Sequence, residues 1–268
     1  MENQFGKVSE LRITASSKDD RTILSDVYFT APYKVMSPFE HKDGSVSVML
    51  LSASAGIMAG DSSEFHFDIQ SGSNLEFVSQ SFEKIHKMEE GIAKRATQIH
   101  VAAGSRFFYH PLPVIPFAQS SFENHTQVCL EDDTAEFEYY EIISCGRSAR
   151  GERFAYKEYL SELSVMNGEK LIFKDNTKFI TELFPMEGAG FYEGFTHLGN
   201  FLFINRKKDG VWVDAVRDVL KNDGEIQGGI SQLDSGDYIV KILGRQAQKL
   251  MEIGERISKI SLGANAVK

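Results

Sequence analysis

The 268-residue chain is 42% hydrophobic, enough for a packed core and too much for a disordered polymer. Its 38 acidic residues outweigh 29 basic ones, a net charge of -9 that argues against binding nucleic acid by neutralising phosphates. Only two cysteines occur, Cys129 and Cys145, at a spacing that fits neither a paired-cysteine zinc motif nor a disulfide framework, so a cytoplasmic protein is expected.

The chain opens Met1-Glu2-Asn3-Gln4-Phe5, without the basic and apolar regions of a signal peptide, and no uncharged apolar run reaches bilayer length. No membrane association is expected. From about residue 10 to 175 apolar residues alternate with polar ones, as in Phe65-His66-Phe67-Asp68-Ile69, Gln98-Ile99-His100-Val101 and Glu136-Phe137-Glu138-Tyr139. That period of two predicts half-buried strands. Gly-Ser pairs at 44–45, 72–73 and 104–105 precede three of them at near-regular intervals, a spacing that suggests stacked β-layers, although glycine and serine are also ordinary turn residues.

Ala55-Gly56-Ile57-Met58-Ala59-Gly60-Asp61 places Gly56 and Gly60 around an apolar pair before a carboxylate. It reads either as a sharp loop that aims Asp61 at a cleft or as a turn that Asp61 caps. A strand over Leu75 to Phe82 then runs into Ser79-Gln80-Ser81-Phe82-Glu83-Lys84-Ile85-His86, where alternation puts Lys84 and His86 on one face and Glu83 on the other. The three prolines of His110-Pro111-Leu112-Pro113-Val114-Ile115-Pro116-Phe117 predict an edge or an extended crossing segment, since proline lacks a ladder donor. Asn124-His125-Thr126 matches a glycosylation pattern of the kind that arises by chance.

Gly146-Arg147-Ser148-Ala149-Arg150-Gly151-Glu152 can set Arg147 and Arg150 in an ion-pair network with Glu141 and Glu152, or offer guanidinium groups to a partner's carboxylates. Phe154 to Val165 and Lys170 to Phe173 predict a hairpin turning at Asn167-Gly168. After Gly188 the pattern changes to strand, helix, strand, helix: Phe201–Ile204, then Val213, Val216, Val219 and Leu220, then Tyr238–Leu243, then Ala247, Leu250, Met251, Gly254, Ile257 and Ile260. The whole chain, 1–268, is expected to form one unit, a β-rich body over 1–185 and a packed α/β portion over 186–268.

No phosphate loop, dinucleotide fingerprint, nucleophile elbow or zinc helix is present, and the seven histidines include no local ligand pair at i,i+4 spacing. Aromatic residues around Phe117, Phe122 and Phe191-Tyr192 are candidates for an exposed docking patch. The residues alone leave open a glycan hydrolase using a carboxylate pair such as Asp61 and Glu141, and a β-sheet interaction module without metal.

Taken in order, Gly56–Asp61, Ser79–His86, Leu112–Phe117, Glu141–Arg147 and Arg150–Phe154 resemble the motifs of the UreD/UreH urease accessory family, most closely over residues 28–160. The resemblance implies a mainly β, layered, β-helix-like body with two helices. It also implies a non-catalytic chaperone that docks on apo-urease with a UreF-like helical protein and a UreG-like nickel GTPase, in a dimeric assembly. Nickel(II) would be a transient passenger in an interior water-filled path rather than a permanent cofactor. By motif position, Asp61, Glu64, Glu83, His86, Glu141 and Glu152 are the expected lining of that path. Gly56, Gly60, Gln80, Phe82, Lys84, Phe117, Gly146, Arg147 and Arg150 are expected to shape it or to meet partners.

Overall fold

The computed structural model describes residues 8–206 and 210–261. Its strands in chain order are β1 (Ser9–Lys18), β2 (Arg21–Phe29), β3 (Tyr33–Val35), β4 (Phe39–Glu40), β5 (Val46–Ser52), β6 (Ser62–Ile69), β7 (Asn74–Ser79), β8 (Glu83–Ile85) and β9 (Ala93–Val101). There follow β10 (Arg106–His110), β11 (Val114–Pro116), β12 (Ser121–Leu130), β13 (Glu136–Ser144), β14 (Glu158–Asn167), β15 (Lys170–Ile180), β16 (His197–Ile204), β17 (Ile226–Gln232) and β18 (Tyr238–Gly244). The two helices, α1 (Gly210–Lys221) and α2 (Ala247–Ser261), come late, so the protein is mainly β.

Two mixed sheets face each other. The first has the order β15-β14-β12-β9-β6-β1-β2, and the second the path β17-β18-β16-β13-β10-β7-β5-β3. Between β5 and β14 the chain passes back and forth between them, and each return lays a strand parallel to its predecessor, as β6, β9, β12 and β14 do in one sheet and β5, β7, β10 and β13 in the other. The sequence periodicity has its physical basis here. Strands of the second sheet begin at residues 46, 74, 106 and 136, and the first three are each preceded by a Gly-Ser pair. Gly44, Gly72 and Gly104 all hold left-handed backbone, at φ 83°, 75° and 67°, the conformation the crossover needs.

Stacked layers align like residues. Phe77, Tyr109 and Tyr139 occupy successive parallel strands with ring centroids 5.2 and 5.7 Å apart and nearly parallel planes. The principal core forms around them, with Ile13, Phe67, Phe107, Phe137 and Val165 among its fully buried members. Beyond β15 the chain extends the second sheet: β16 pairs antiparallel with β13, and β18 with β16. The apolar stripes of both helices close on the sheet's outer face, against Tyr140, Ile142, Phe201, Phe203, Val240 and Ile242.

Three boundaries differ from the sequence pattern. The run from Leu75 ends at Ser79, and β8 starts separately at Glu83. The hairpin strand begins at Glu158 rather than Phe154, because Phe154 has φ 49° and donates its N–H to the Cys145 carbonyl at 2.6 Å. Its partner β15 runs on to Ile180, along a polar, alternating tail. The proline-rich segment is an extended crossing rather than an edge: β11 lies between β8 and β13. Its prolines need donate nothing, since the Pro113 carbonyl accepts from Glu83 and Phe117 donates to Ile85.

Candidate functional site

The motif residues fall into two groups on either side of β8. Alternation along that strand sends Glu83 and Ile85 inward and leaves Lys84 exposed, as period two requires. His86, just past the strand, is half-buried: its Nε2 lies 2.9 Å from the Ala55 carbonyl and its ring packs edge-on against Phe117 at 4.9 Å.

The first group is a supporting cluster at the sheet ends. Arg147 lays its guanidinium 3.9 Å over the Phe117 ring and donates through Nε at 2.8 Å and through Nη2 to the two oxygens of Glu152. The ion pair holds the Glu152 carboxyl below its usual range, and the Ala118 N–H adds a hydrogen bond at 3.2 Å. Gly146, at φ 120°, packs against the Glu152 and Pro116 carbonyls. Arg150 ends a short 3-10 turn on the surface. Glu141 does not join this network. Of the aromatic residues expected in a docking patch, Phe117, Phe122 and Tyr192 are 8%, 2% and 1% exposed and serve as core and packing, and only Phe191, half-buried against Phe184 at 5.7 Å, keeps an exposed face.

The second group surrounds a pocket of about 350 Å³ between the sheets, lined in part by Gly56, Asp61, Gln80, Phe82, Glu83 and Lys84. Asp61 also caps its own turn, accepting from the Met58 N–H at 2.7 Å while its own N–H donates to the Met58 carbonyl at 3.1 Å. Both sequence readings of the loop therefore hold together. Gly60 has φ 80° with open space around it, whereas a Cβ on Gly56 would overlap the Lys84 carbonyl and the His86 ring. Glu64 stands apart: it is exposed on the face of β6 opposite to inward-facing Ser63 and Phe65.

From this pocket a polar seam crosses the interior perpendicular to the strands. In the first sheet the inward residues Ser63, Arg95, Asn124, Ser161 and Thr177 lie in register on β6, β9, β12, β14 and β15. In the second, Glu141, Asn200 and Lys241 are in register on β13, β16 and β18. The seam separates the principal core from a smaller apolar cluster of Ile85, Met88, Ala93, Phe122, Ile143, Tyr156 and Tyr159.

At its entrance Glu83 accepts two hydrogen bonds from Arg95, one of them 2.7 Å long. In the middle, buried Glu141 accepts from Ser161 at 2.5 Å, Asn200 at 3.0 Å and the Tyr159 hydroxyl at 3.3 Å. Burial pushes the Glu141 carboxyl above its ordinary value, against the opposing hydrogen bonds of Ser161 and Asn200. Burial likewise drives the Tyr159 phenol upward, and Glu141, Tyr139 and Glu83 add to it, which places both carboxylates in electrostatic reach of one side chain. At the far end a cavity of about 10 Å³ touches Glu141 and Asp175, and Lys241 donates to Asp175 at 2.6 Å.

Buried Arg95 Nε, Asn124 Oδ1 and Asn200 Oδ1 have no hydrogen-bond partner among the described residues. Leaving such atoms bare is costly, so they mark places for bound water. Among the described residues no three His, Cys, Asp or Glu side chains are grouped to hold a metal ion. The donors present are carboxylate, hydroxyl and amide oxygens, ligands that suit a borderline divalent cation only weakly.

Sequence reading found Asp61, Glu83 and Glu141 but not Arg95, Asn124, Ser161, Asn200, Asp175 or Lys241. It also missed a second buried charge cluster, on the outer face of the second sheet. There His110 sits between Glu76 and Glu138 at 3.3 and 3.4 Å, stacked on Tyr140 at 3.8 Å, in the wall of a groove of about 720 Å³. No helix among the described residues is long and apolar enough to cross a membrane.

Comparison with known proteins gives a consistent picture. The family model described as UreD urease accessory protein matches residues 7–265. The chain is 36% identical over 261 residues to urease accessory protein UreD of Acetivibrio thermocellus, covering 97% of this chain and 99% of that one. It is 32% identical over 262 residues to urease accessory protein UreH of Helicobacter pylori strain G27, covering 97% of each. Against urease accessory protein UreD of Flavobacterium johnsoniae it is 30% identical over 255 residues, with 94% and 91% covered.

Proposed function

The chain belongs to the UreD urease accessory family, and from that premise we propose that it passes nickel(II) along the polar seam between its sheets during urease maturation. Members of the family are non-catalytic, so the hydrolase reading of Asp61 and Glu141 falls away. Nickel is the cargo, and the activity belongs to the urease it reaches.

The observation that carries the reading is the seam itself, a line of polar side chains, Ser63, Arg95, Ser161, Glu141 and Asn200 among them buried, with unspent hydrogen-bonding atoms in the midst of an apolar sandwich. Burying polar groups this way costs stability, and a core built for stability alone would be apolar. Asp61 and Glu83 supply negative charge at the pocket, Glu141 a carboxyl midway, and Asp175 a carboxylate at the far side. A cation moving from one to the next meets oxygen donors at each stage and a full ligand cage at none, which favours passage over trapping. His86 and Glu152 line the supporting cluster rather than the seam, and Glu64 faces solvent. Their part is to hold the entrance loops or to meet partners.

The partners proposed are the urease apoprotein, a UreF-like helical protein and a UreG-like nickel GTPase, in a dimeric assembly. The test is nickel content and activity of urease matured in a host carrying the urease and all accessory genes. Omitting this chain should abolish both. Glu141→Gln should lower both strongly while the accessory complex still assembles. Normal nickel loading with Glu141→Gln would remove the seam from the account.

A further inference from the structure

We propose that Arg95 and Lys241 are built-in counter-ions that close the two ends of the seam, and that a divalent cation enters by replacing Arg95 at Glu83. The proposal rests on the nickel-passage reading and specifies how that passage is controlled. Its basis is an asymmetry among the three carboxylates of the seam. The two outer ones each have a basic partner, Glu83 with Arg95 and Asp175 with Lys241, whereas among the described residues Glu141 between them is held by hydroxyl and amide donors alone.

Arg95 is 8% exposed and its guanidinium lies 4.7 Å over Phe65 and 5.8 Å over Phe122. Burial disfavours its charge, but Glu83 more than compensates, and the group stays cationic at every pH the protein meets. Arg95 therefore cannot open the entrance by losing a proton. It must swing away from Glu83, and the pocket beside it gives room. Its Nε has no hydrogen-bond partner among the described residues, so the side chain is fixed by two bonds to one carboxylate and by aromatic faces that a rotated guanidinium can leave. Lys241 is freer still: its side chain is 46% exposed on the inward face of β18. In the closed state each cationic head repels an arriving metal ion and occupies the oxygens it needs. Exchange of a monovalent side-chain cation for a divalent ion admits the cargo only where its supply, or a partner's surface, draws Arg95 aside.

The experiment measures Ni²⁺ binding to the isolated full-length chain by calorimetry and equilibrium dialysis, with folding checked by circular dichroism. Arg95→Gln should tighten binding by about tenfold or more, the scale at which one neighbouring charge shifts an ionic equilibrium. Adding Glu83→Gln to it should cancel the gain, an outcome that a merely structural role for Arg95 would not produce. Lys241→Gln, at a half-exposed position, should also tighten binding, and it keeps the test decisive if Arg95→Gln fails to fold. Folded variants that bind Ni²⁺ as the parent does would overturn the proposal. If Glu141→Gln still blocks urease loading in that case, the passage reading stands and only the counter-ions fail. If Glu141→Gln loads urease normally, the passage reading itself has failed.

Discussion

Glu141 is buried and His110 nearly so, yet their ionisation answers opposite forces. Glu141 has no cationic partner among the described residues, and burial raises its carboxyl, so ionising it costs the folded state more as pH climbs above the usual carboxylate range. Glu141→Gln removes that cost, keeps an acceptor for Ser161 and presents an NH2 group to which Asn200, by turning its amide, can offer its otherwise unpartnered Oδ1. Thermal melts should show a variant at least as stable as the parent at neutral pH, and a marked loss of stability would mean that Glu141 is structural. His110 is the reverse case. Burial alone would lower its pKa, but Glu138 and Glu76 outweigh it and the imidazolium is favoured. With the folded pKa raised, its stabilisation is complete below the unfolded value of about 6.5 and is lost as pH rises through the folded one. Around the ring lie Glu76, backed by Ser47 and His41, then Glu138 with Arg206 and Ser258, and the Tyr140 hydroxyl. The melting temperature should decline as pH is raised above 6.5, and His110→Gln should flatten that decline. An unchanged slope would show that His110 is not the group responsible.

At the scale of elements, the loop before β6 is set by the strand it crosses. Gly56 adopts φ 144°, its neighbour Ile57 bridges Ile85, and the Ile57 N–H donates to the Lys84 carbonyl at 2.8 Å. Gly56→Ala forces a Cβ into that carbonyl and should cost about 1–3 kcal/mol, the usual range for such backbone strain. Denaturant unfolding checks it, and because the same shift displaces Asp61 from the pocket, urease loading should fall with stability. Gly60→Ala, where nothing lies within 4 Å, should be milder. Much of this level was legible in the sequence, for a reason specific to each element. Alternation placed Glu83 and Lys84 on opposite faces, the Gly-Ser turns marked successive layers, and helical spacing found Val213, Val216 and Leu250. Alternation would also have placed Glu64 outward, since Phe65, Phe67 and Ile69 claim the inner face. The seam was not legible. Apart from Glu83 on β8, its aligned members come from five strands of one sheet and three of the other, and they meet only through register, which no local pattern encodes. Asn124 and Thr126 drew notice only as a chance glycosylation pattern.

For the whole molecule, layered parallel strands are what allow a polar row to cross an apolar interior. Each layer supplies one side chain at a fixed height, so aromatic rings stack along one line and polar groups along another. The helices cover the outer face of the second sheet and leave the seam between the sheets untouched. The most direct test of passage through that seam is to plug it without altering any carboxylate. Asn124→Leu puts an apolar side chain of similar size where the seam crosses β12, and nickel bound per urease active site is then measured alongside recovery of the intact accessory complex. The account predicts normal complex and nickel-poor urease. A normal complex that still delivers fully nickel-loaded urease would contradict it.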